Sequence, residues 1–177
     1  MKALGYRNLN PLNIRFNIMN HWKGQTGCNK GFCTFDSMEH GFRAAFVLLL
    51  NYVKRGYVTP TQIISRWAPE SENDTAAYIR TVMRYYKHSI NSERFALDAD
   101  STIVDVVTTI SVRKLTLLAL CMSYIELGVN PMKDSIALTM LKRSHDEAYD
   151  AFLKEFWKNK NWLSIFPTTV AVDPDFE

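Results

Sequence analysis

Four residues of metal-binding type lie in a symmetrical row near the start of the chain. His21, Cys28, Cys33 and His40 are separated by six, four and six residues. Structural zinc sites usually carry their ligands in close pairs, so that both members of a pair reach one ion. Because each histidine lies well outside the cysteine pair, we expect two free thiols and no metal, with a zinc site as the alternative. A disulfide between the two cysteines would require a protein that acts outside the cell.

Other catalytic patterns do not occur in the sequence. No G-x-S-x-G segment sets a serine on a strand-to-helix turn, and no cysteine has such a setting. No glycine-rich loop of the phosphate-binding type occurs either. We therefore set aside nucleophilic hydrolases and nucleotide-binding enzymes, and we expect no cofactor.

The composition indicates one soluble domain. A chain of 177 residues, 47% of them apolar, is long enough for one core and short for two. The net charge of +3 is spread without Lys/Arg blocks, so we expect no nucleic-acid partner. The most apolar runs are about 12 residues long, short of the roughly 20 that span a bilayer, so no membrane span is expected. No signal peptide is recognised at the start, which predicts synthesis in the cytoplasm.

The hydrophobic periodicity predicts a mainly α fold. Residues 1–35 have no sustained period and are expected to form an irregular arm that can include a short hairpin. One helix is predicted from a cap at Asp36 or Ser37 to Arg55, and a second from Thr59 to Pro69. A third begins at Asn73 or Asp74, and a fourth at Asp100 or Ser101. A fifth helix ends at Gly128. Glu39, three residues after Asp36, is expected to close a capping box.

The C-terminal part is predicted to complete a single domain over residues 1–166. The segment ending at Gly128 is apolar on nearly all sides and should be the most buried helix. Residues 132–166 form a helical extension of one helix or two, and residues 167–177 a loose tail. The residues expected to face inward in the extension are Ile136, Met140, Leu141, Ala148, Phe152 and Phe156.

Several segments of the first half resemble a group of small phage and prophage proteins. They read "NPLNIR", "WKGQ", "GFCTFDSMEHGFRA" and "WAPESENDTAAY", and lie within about residues 6 to 85. The corresponding patterns of the group are N-N-P-G-N-I-R, W-x-G-Q, G-F-x-x-F-x-x-x-x-x-G-x-R-A and W-A-P-x-x-E-N-x-T-x-x-Y. Leu12 departs from the first pattern, where the group usually has glycine, so the turn can differ there.

This resemblance implies both a fold and a function. Proteins of the group are generally described as virion structural proteins, and their motif order is similar to that of glucosaminidases and lysozyme-like wall hydrolases. A lysozyme-like helical domain with a cleft facing peptidoglycan glycan strands is therefore expected. The residues that the resemblance places at the cleft are Asn13, Arg15, Glu72 and Tyr78. Trp22 is the tryptophan that we expect to stack on a sugar ring.

A glycosidase also needs a carboxylic acid beside the leaving oxygen. In the wall hydrolases a glutamate ends a helix just before the Asn-rich turn, whereas no acidic residue precedes Tyr6 here. The segment "YIELGVNP" resembles the E-S-G-x-N-P setting of lytic transglycosylases and offers Glu126, if the lysozyme-like arrangement is circularly permuted. The alternative is that Glu126 is a solvent-facing residue in the last turn of a buried helix.

Two functional hypotheses follow from these features. The first is a phage- or prophage-derived protein that binds, and cleaves if active, peptidoglycan through Glu126. The second is a non-catalytic virion or assembly protein on the same scaffold, with Trp157, Trp162, Phe156 and Phe166 forming a patch for another virion protein. Trp67 is interpreted as a packing residue. Made in the cytoplasm, the protein would be virion-associated or released to the cell wall.

Overall fold

The structure, a computed structural model, describes residues 3–103 and 108–159. These residues form a mainly α fold of six α-helices with a small antiparallel sheet of two strands. No helix among them is long and apolar enough to span a bilayer. The helices are α1 (Leu4–Asn8), α2 (Met38–Lys54), α3 (Pro60–Trp67), α4 (Thr75–Ser89), α5 (Thr109–Leu127) and α6 (Ser135–Lys158), the strands are β1 (Gln25–Asn29) and β2 (Phe32–Phe35), and a 3-10 turn covers Glu93–Phe95.

The start of α2 is set by one local capping bond. Ser37 is the N-cap, and its hydroxyl accepts a hydrogen bond from the His40 backbone at 3.2 Å. Of the two residues predicted as the cap of this helix, Asp36 and Ser37, the structure therefore has Ser37. The capping box predicted for Glu39 is wrong, because a cap at Ser37 puts His40, not Glu39, three residues further on.

The predicted starts of the next two helices are confirmed. Thr59 and Gln62 form a capping box at the start of α3, with Pro60 as the first helical residue. Asp74 caps α4 through the Ala77 backbone N–H at 2.9 Å. Both starts are encoded by side chains within three residues of the cap, which explains why the sequence predicts them.

The core of the fold lies where α5 packs against α2, α4 and α6. Most residues of α5 are buried, as predicted for this segment, and the helix ends at Gly128, whose φ is +67°. His145 from α6 is fully buried and lies edge-on to the rings of Phe42 and Phe46. These aromatic contacts join α6 to α2 through the middle of the molecule.

The predicted helix at Asp100 or Ser101 is not formed in the part of that segment the structure describes. Residues 96–103 have no helix, and residues 104–107 lie outside the described ranges. Valine, isoleucine and threonine lose rotamer freedom in a helix, which weakens the helical preference of this segment. Ile103 instead packs into the core, and its N–H donates to Val58 O at 2.8 Å.

The N-terminal arm is an ordered part of the core. Leu12 is fully buried and Ile14 is 4% exposed. The arm runs beside β2, with Cys33 N–H donating to Ile14 O at 2.9 Å and Phe16 N–H to Gly31 O at 2.8 Å. The arm is less irregular than predicted, because it contains a short helix and buried apolar side chains, although turns and segments without helix or strand still make up more than half of residues 3–35.

The hairpin that the sequence allowed in this arm is present. β1 and β2 are antiparallel and joined by Lys30 and Gly31, whose φ angles are +53° and +82°. Positive φ at both positions matches the type I′ turn, whose twist suits a two-residue hairpin loop. The turn fixes the register, in which Asn29 is opposite Phe32 and Cys28 opposite Cys33.

The C-terminal extension forms one helix, α6, as far as it is described. Four of its predicted inward residues are buried, but Ile136 and Met140 are 79% and 68% exposed. The prediction for these two is wrong because α6 becomes buried only from Leu141 onward, so its first turns lie outside the core. The predicted patch is also changed, since Phe156 is fully buried. Trp162, Phe166 and the tail 167–177 lie outside the described residues.

Candidate functional site

The carboxylate of Glu126 is the meeting point of three side-chain donors. The Tyr78 hydroxyl and the Trp67 indole N–H both donate to Oε1, at 2.9 and 3.2 Å. The Asn13 amide donates to Oε2 at 3.0 Å. These donors come from α4, from the last residue of α3 and from the N-terminal arm. Four parts of the chain that are distant in sequence therefore converge on one partly buried acid.

The end of α5 explains the position of Glu126. Beyond Leu127, the last residue of α5, Gly128 takes a left-handed conformation, so that Gly128 N–H donates to Ile125 O and Val129 N–H to Tyr124 O. This is a common helix ending that requires glycine at the left-handed position. A negative charge at the C-terminal end of a helix is opposed by the helix dipole. The three side-chain donors offset that repulsion.

A buried asparagine shapes the turn that carries Asn13. Asn10 is fully buried, and its amide donates to Ile14 O at 3.0 Å and to Cys33 O at 2.9 Å. Its side-chain oxygen accepts from Ile14 N–H at 2.8 Å. Asn13 itself has φ of +48°, a conformation that asparagine tolerates better than most residues. Leu12, the departure from the related pattern, has no positive φ and does not need to be glycine.

Gly5 allows this turn to approach the end of α5. A Cβ atom at Gly5 would lie 2.6 Å from Leu127 Cδ2, 2.8 Å from Asn10 O and 3.0 Å from Asn13 Oδ1. These distances are too short for any larger residue, so α1, the turn and α5 are packed together through this glycine. Gly5 was not predicted as a residue of this site, because no local pattern in a sequence marks a close approach between distant segments.

The connection between α3 and α4 positions the other two donors to Glu126, Trp67 and Tyr78. The Thr75 hydroxyl donates to Ala68 O at 2.5 Å, which ties the first residue of α4 to the residue after α3. This bond fixes the distance between the segments that carry Trp67 and Tyr78. The first and last residues of the segment 67–78 therefore both reach Glu126.

Arg15 and Glu72 form an ion pair at the rim of the same region. Arg15 Nη2 lies 3.2 Å from Glu72 Oε2, and the two side chains are 75% and 58% exposed. A pair this exposed contributes at most about 1 kcal/mol. It links the arm to the connection between α3 and α4 without anchoring it strongly.

Tyr78 is held in its protonated form. Burial raises the pKa of its hydroxyl, and the charge of Glu126 and the hydrogen bond to it raise the pKa further. Each of these causes disfavours a phenolate beside a carboxylate. Tyr78 is therefore a permanent hydrogen-bond donor to Glu126 and cannot serve as a base.

Most of the predicted site residues share one region of the fold. The structure gathers Asn13, Arg15, Glu72, Tyr78 and Glu126. Trp22 is not among the partners of Glu126. It is half-buried against the core, and its backbone N–H donates to the Gln25 side chain at 3.2 Å. Trp67, which the sequence suggested only for packing, is a direct partner that was missed. The contact of its indole N–H with Glu126 depends on how segments distant in the sequence pack, so no local pattern indicates it.

The His/Cys row is spread over the hairpin and the start of α2. His40 bonds to Asp36 at 2.6 Å, and this hydrogen bond lowers the pKa of the Asp36 carboxyl. Cys28 is exposed, whereas Cys33 opposite it is buried, and both are free thiols. Among residues 3–103 and 108–159 there is no group of three His, Cys, Asp or Glu side chains that could hold a metal ion.

Comparison with known proteins points to a phage. No protein-family model matches the chain. The chain is similar to Protein P5 of Pseudoalteromonas phage PM2, with 42% identity over 85 residues, which cover 45% of this chain and 53% of P5. The chain thus spans about half the length of the curated relative that it matches. This similarity supports a phage origin for the chain.

Proposed function

We propose that the protein is a phage protein with a lysozyme-like, circularly permuted fold that binds peptidoglycan glycan strands and cleaves them with Glu126 as the general acid. The observation that carries the proposal is the convergence of Asn13, Trp67 and Tyr78 on the Glu126 carboxylate. Donors from three segments give the Glu126 carboxyl group a defined orientation, which an acid that protonates a glycosidic oxygen requires.

The two oxygens of Glu126 have different surroundings, and this difference suggests a division of roles. Oε1 accepts from both Tyr78 and Trp67, whereas Oε2 accepts from the Asn13 side chain alone. Oε1 is therefore suited to remain the carbonyl-like oxygen of the protonated acid. The catalytic proton would be carried by Oε2 and given to the leaving oxygen of the sugar.

A single glutamate can then serve twice in the reaction. As Glu126 gives its proton to the leaving oxygen, the glycosidic C–O bond breaks, and the Glu126 carboxylate then takes a proton back from the hydroxyl, of water or of the sugar itself, that forms the new bond to the anomeric carbon. Glu72, the other acid of the region, is paired with Arg15 at the surface. This pairing favours Glu72 as a bracing residue that holds the arm to the α3–α4 connection.

The proposed reaction is tested by lysis of purified peptidoglycan sacculi with the wild type and Glu126→Gln. The wild type should release soluble glycan fragments, and Glu126→Gln should release none, because an amide is too weak an acid to protonate the leaving oxygen. Glu70→Gln is the matched control, since Glu70 is an exposed acid near the same loop. Lysis by Glu126→Gln at the wild-type rate would rule out this role for Glu126.

A second candidate function is a non-catalytic role in the virion or in its assembly. The observation that favours it is the exposure of two apolar side chains in the first turns of α6, Ile136 and Met140, and of Met132 just before the helix. Apolar side chains that lie together on a surface are typical of protein contacts. If neither the wild type nor Glu126→Gln lyses sacculi, and if the protein sediments with purified particles, the structural role is favoured.

A further inference from the structure

Two cysteines lie directly opposite each other on the hairpin. Cys28 in β1 and Cys33 in β2 are partners in the antiparallel register. The backbone groups of Cys33 point away from β1, because its N–H donates to Ile14 O and its carbonyl accepts from the Asn10 amide. Cys28 and Cys33 are therefore a non-hydrogen-bonded pair of the β1–β2 ladder, the type in which the Cα atoms approach most closely.

This pairing satisfies the main geometric requirement of a disulfide. Opposite Cα atoms in a non-hydrogen-bonded pair are about 4.5 Å apart, which is within the range that disulfides span. Residues directly opposite in a ladder also direct their side chains to the same face. The type I′ turn at Lys30 and Gly31 holds the two strands in this register.

The two thiols differ in their access to solvent. Cys28 is exposed, whereas Cys33 is fully buried and its Sγ lies 3.6 Å from Arg15 O. Burial raises the pKa of the Cys33 thiol, and the neighbouring Cys28 raises it further. An exposed thiol reacts first with a soluble oxidant, and a buried neighbour can then resolve the product.

From this geometry we propose that Cys28 and Cys33 form a disulfide bond when the protein reacts with a low-molecular-weight disulfide oxidant outside the reducing cytoplasm. The inference rests on the hairpin and does not depend on the proposed glycan cleavage. The phage origin supplies a reason, because a phage protein made in a reducing compartment can act in an oxidising one.

The reaction balances with oxidised glutathione as the oxidant. The Cys28 thiolate attacks one sulfur of oxidised glutathione, forms a mixed disulfide and releases one glutathione thiolate. The Cys33 thiolate then attacks Cys28 Sγ, forms the protein disulfide and releases the second glutathione thiolate. Two protein thiols lose two electrons and two protons, and one oxidised glutathione becomes two reduced molecules.

The oxidised form should hold the candidate site more firmly. Cys33 is bonded through its backbone to Ile14 and Asn10, which shape the turn carrying Asn13. A bond from Cys28 to Cys33 would tie β1 to this turn as well. Cys121 is buried in α5 and should remain a thiol.

The test uses the full chain treated with oxidised glutathione, then unfolded and alkylated with iodoacetamide. Intact mass should show one alkylated thiol, on Cys121, and the loss of two hydrogens elsewhere. Trypsin cleaves after Lys30, so the disulfide should join the peptides 24–30 and 31–43. The apparent midpoint of thermal unfolding should rise on oxidation and fall back with dithiothreitol.

Two variants test the order of the steps. Cys33→Ser should keep glutathione on Cys28 as a stable mixed disulfide, whereas Cys28→Ser should leave Cys33 unmodified because it is buried. Cys121→Ser is the matched control and should oxidise like the wild type. Alkylation of both Cys28 and Cys33 after oxidant treatment, or a stable mixed disulfide on Cys28 in the wild type, would overturn the proposal. Covalent dimers through Cys28 would overturn it as well.

Discussion

The hydroxyl of Tyr78 donates a hydrogen bond of 2.9 Å to Glu126 Oε1 and so joins the start of α4 to the end of α5. The two residues are 48 positions apart in the chain. Both are partly buried, so the bond is shielded from competing water. A hydrogen bond to a charged group in such surroundings contributes more to stability than one at an exposed surface.

Removal of this hydroxyl should weaken both the fold and the proposed activity. We expect Tyr78→Phe to lower the free energy of unfolding by about 1–3 kcal/mol, because a charged acceptor loses one of its donors. Lysis of sacculi should fall by about tenfold, since Glu126 would be oriented less well. Urea unfolding and a turbidity assay measure the two effects.

A double-mutant cycle separates the bond from general damage at the site. If Tyr78 acts through Glu126, then Tyr78→Phe should cost less stability in the Glu126→Gln background than in the wild type. The difference is expected to be about 1 kcal/mol. Additive effects in the double mutant would show that the charge of Glu126 does not strengthen the bond from Tyr78.

The indole N–H of Trp67 should matter in the same way. Trp67→Phe keeps an aromatic ring at the end of α3 but removes the donor to Glu126 Oε1, and we expect a loss of about 1–2 kcal/mol. Trp22→Phe is the matched control for stability, because the buried Trp22 Nε1 has no hydrogen-bond partner among the described residues. An equal loss of stability in both variants would contradict a specific role for the Trp67 indole N–H.

The close approach at Gly5 gives a third prediction. Gly5→Ala should destabilise the protein by about 1–3 kcal/mol, because the added methyl group would meet Leu127 and the backbone of Asn10. It should also reduce lysis, since Asn13 would be displaced from Glu126. In Gly56→Ala, where φ is +93° and the space is open, strain should lower the free energy of unfolding while the specific lytic activity stays unchanged.

The starts of α2, α3 and α4 and the end of α5 were predictable because their signals are local. Ser37, Thr59 and Asp74 each cap a helix through a backbone N–H three residues ahead, and Gly128 ends α5. The buried face of α6 was predicted only in part. Periodicity shows which side chains share a face, but it does not show where along the helix a neighbour stops covering that face, as at Ile136.

From the sequence, only the acid of the candidate site and the motifs that contribute to it could be predicted, and not the contacts between them. The motif around Glu126 and the motif ending at Tyr78 are both visible in the sequence. The partners Asn13 and Trp67 lie 113 and 59 positions from Glu126, and their hydrogen bonds depend on how the segments pack. From the sequence alone, a tryptophan that donates its indole N–H to an acid therefore cannot be distinguished from one that only packs in the core.

The ion pair between Arg43 and Glu155 predicts a pH dependence. It joins α2 to α6, with Arg43 Nε donating to Glu155 Oε2 at 2.9 Å, and this hydrogen bonding lowers the pKa of Glu155 below its usual value of 4.5. A lowered pKa in the folded state stabilises the protein above the unfolded pKa, and this contribution is lost as the pH falls through the folded pKa. Glu155→Gln should therefore cost about 1 kcal/mol at pH 7 and progressively less below pH 4.5.

Another acid of α6 provides the control for this pair. Glu147 is paired with Arg143 on the exposed side of the same helix. Glu147→Gln should change the free energy of unfolding by about 0.5 kcal/mol or less. A cost for Glu155→Gln that is constant from pH 7 to pH 3 would show that the charge of Glu155 does not carry the effect.

The exposed and buried turns of α6 should respond differently to truncation. Leu141→Ala should lower the free energy of unfolding by about 2–5 kcal/mol, because it leaves a cavity beside a side chain that is 2% exposed. Ile136→Ala, one turn earlier and 79% exposed, should change it by about 0.5 kcal/mol or less. Urea unfolding of both variants gives the comparison. A large loss for Ile136→Ala would mean that this turn is covered in solution, for example by a second copy of the chain. In that case the loss should depend on protein concentration.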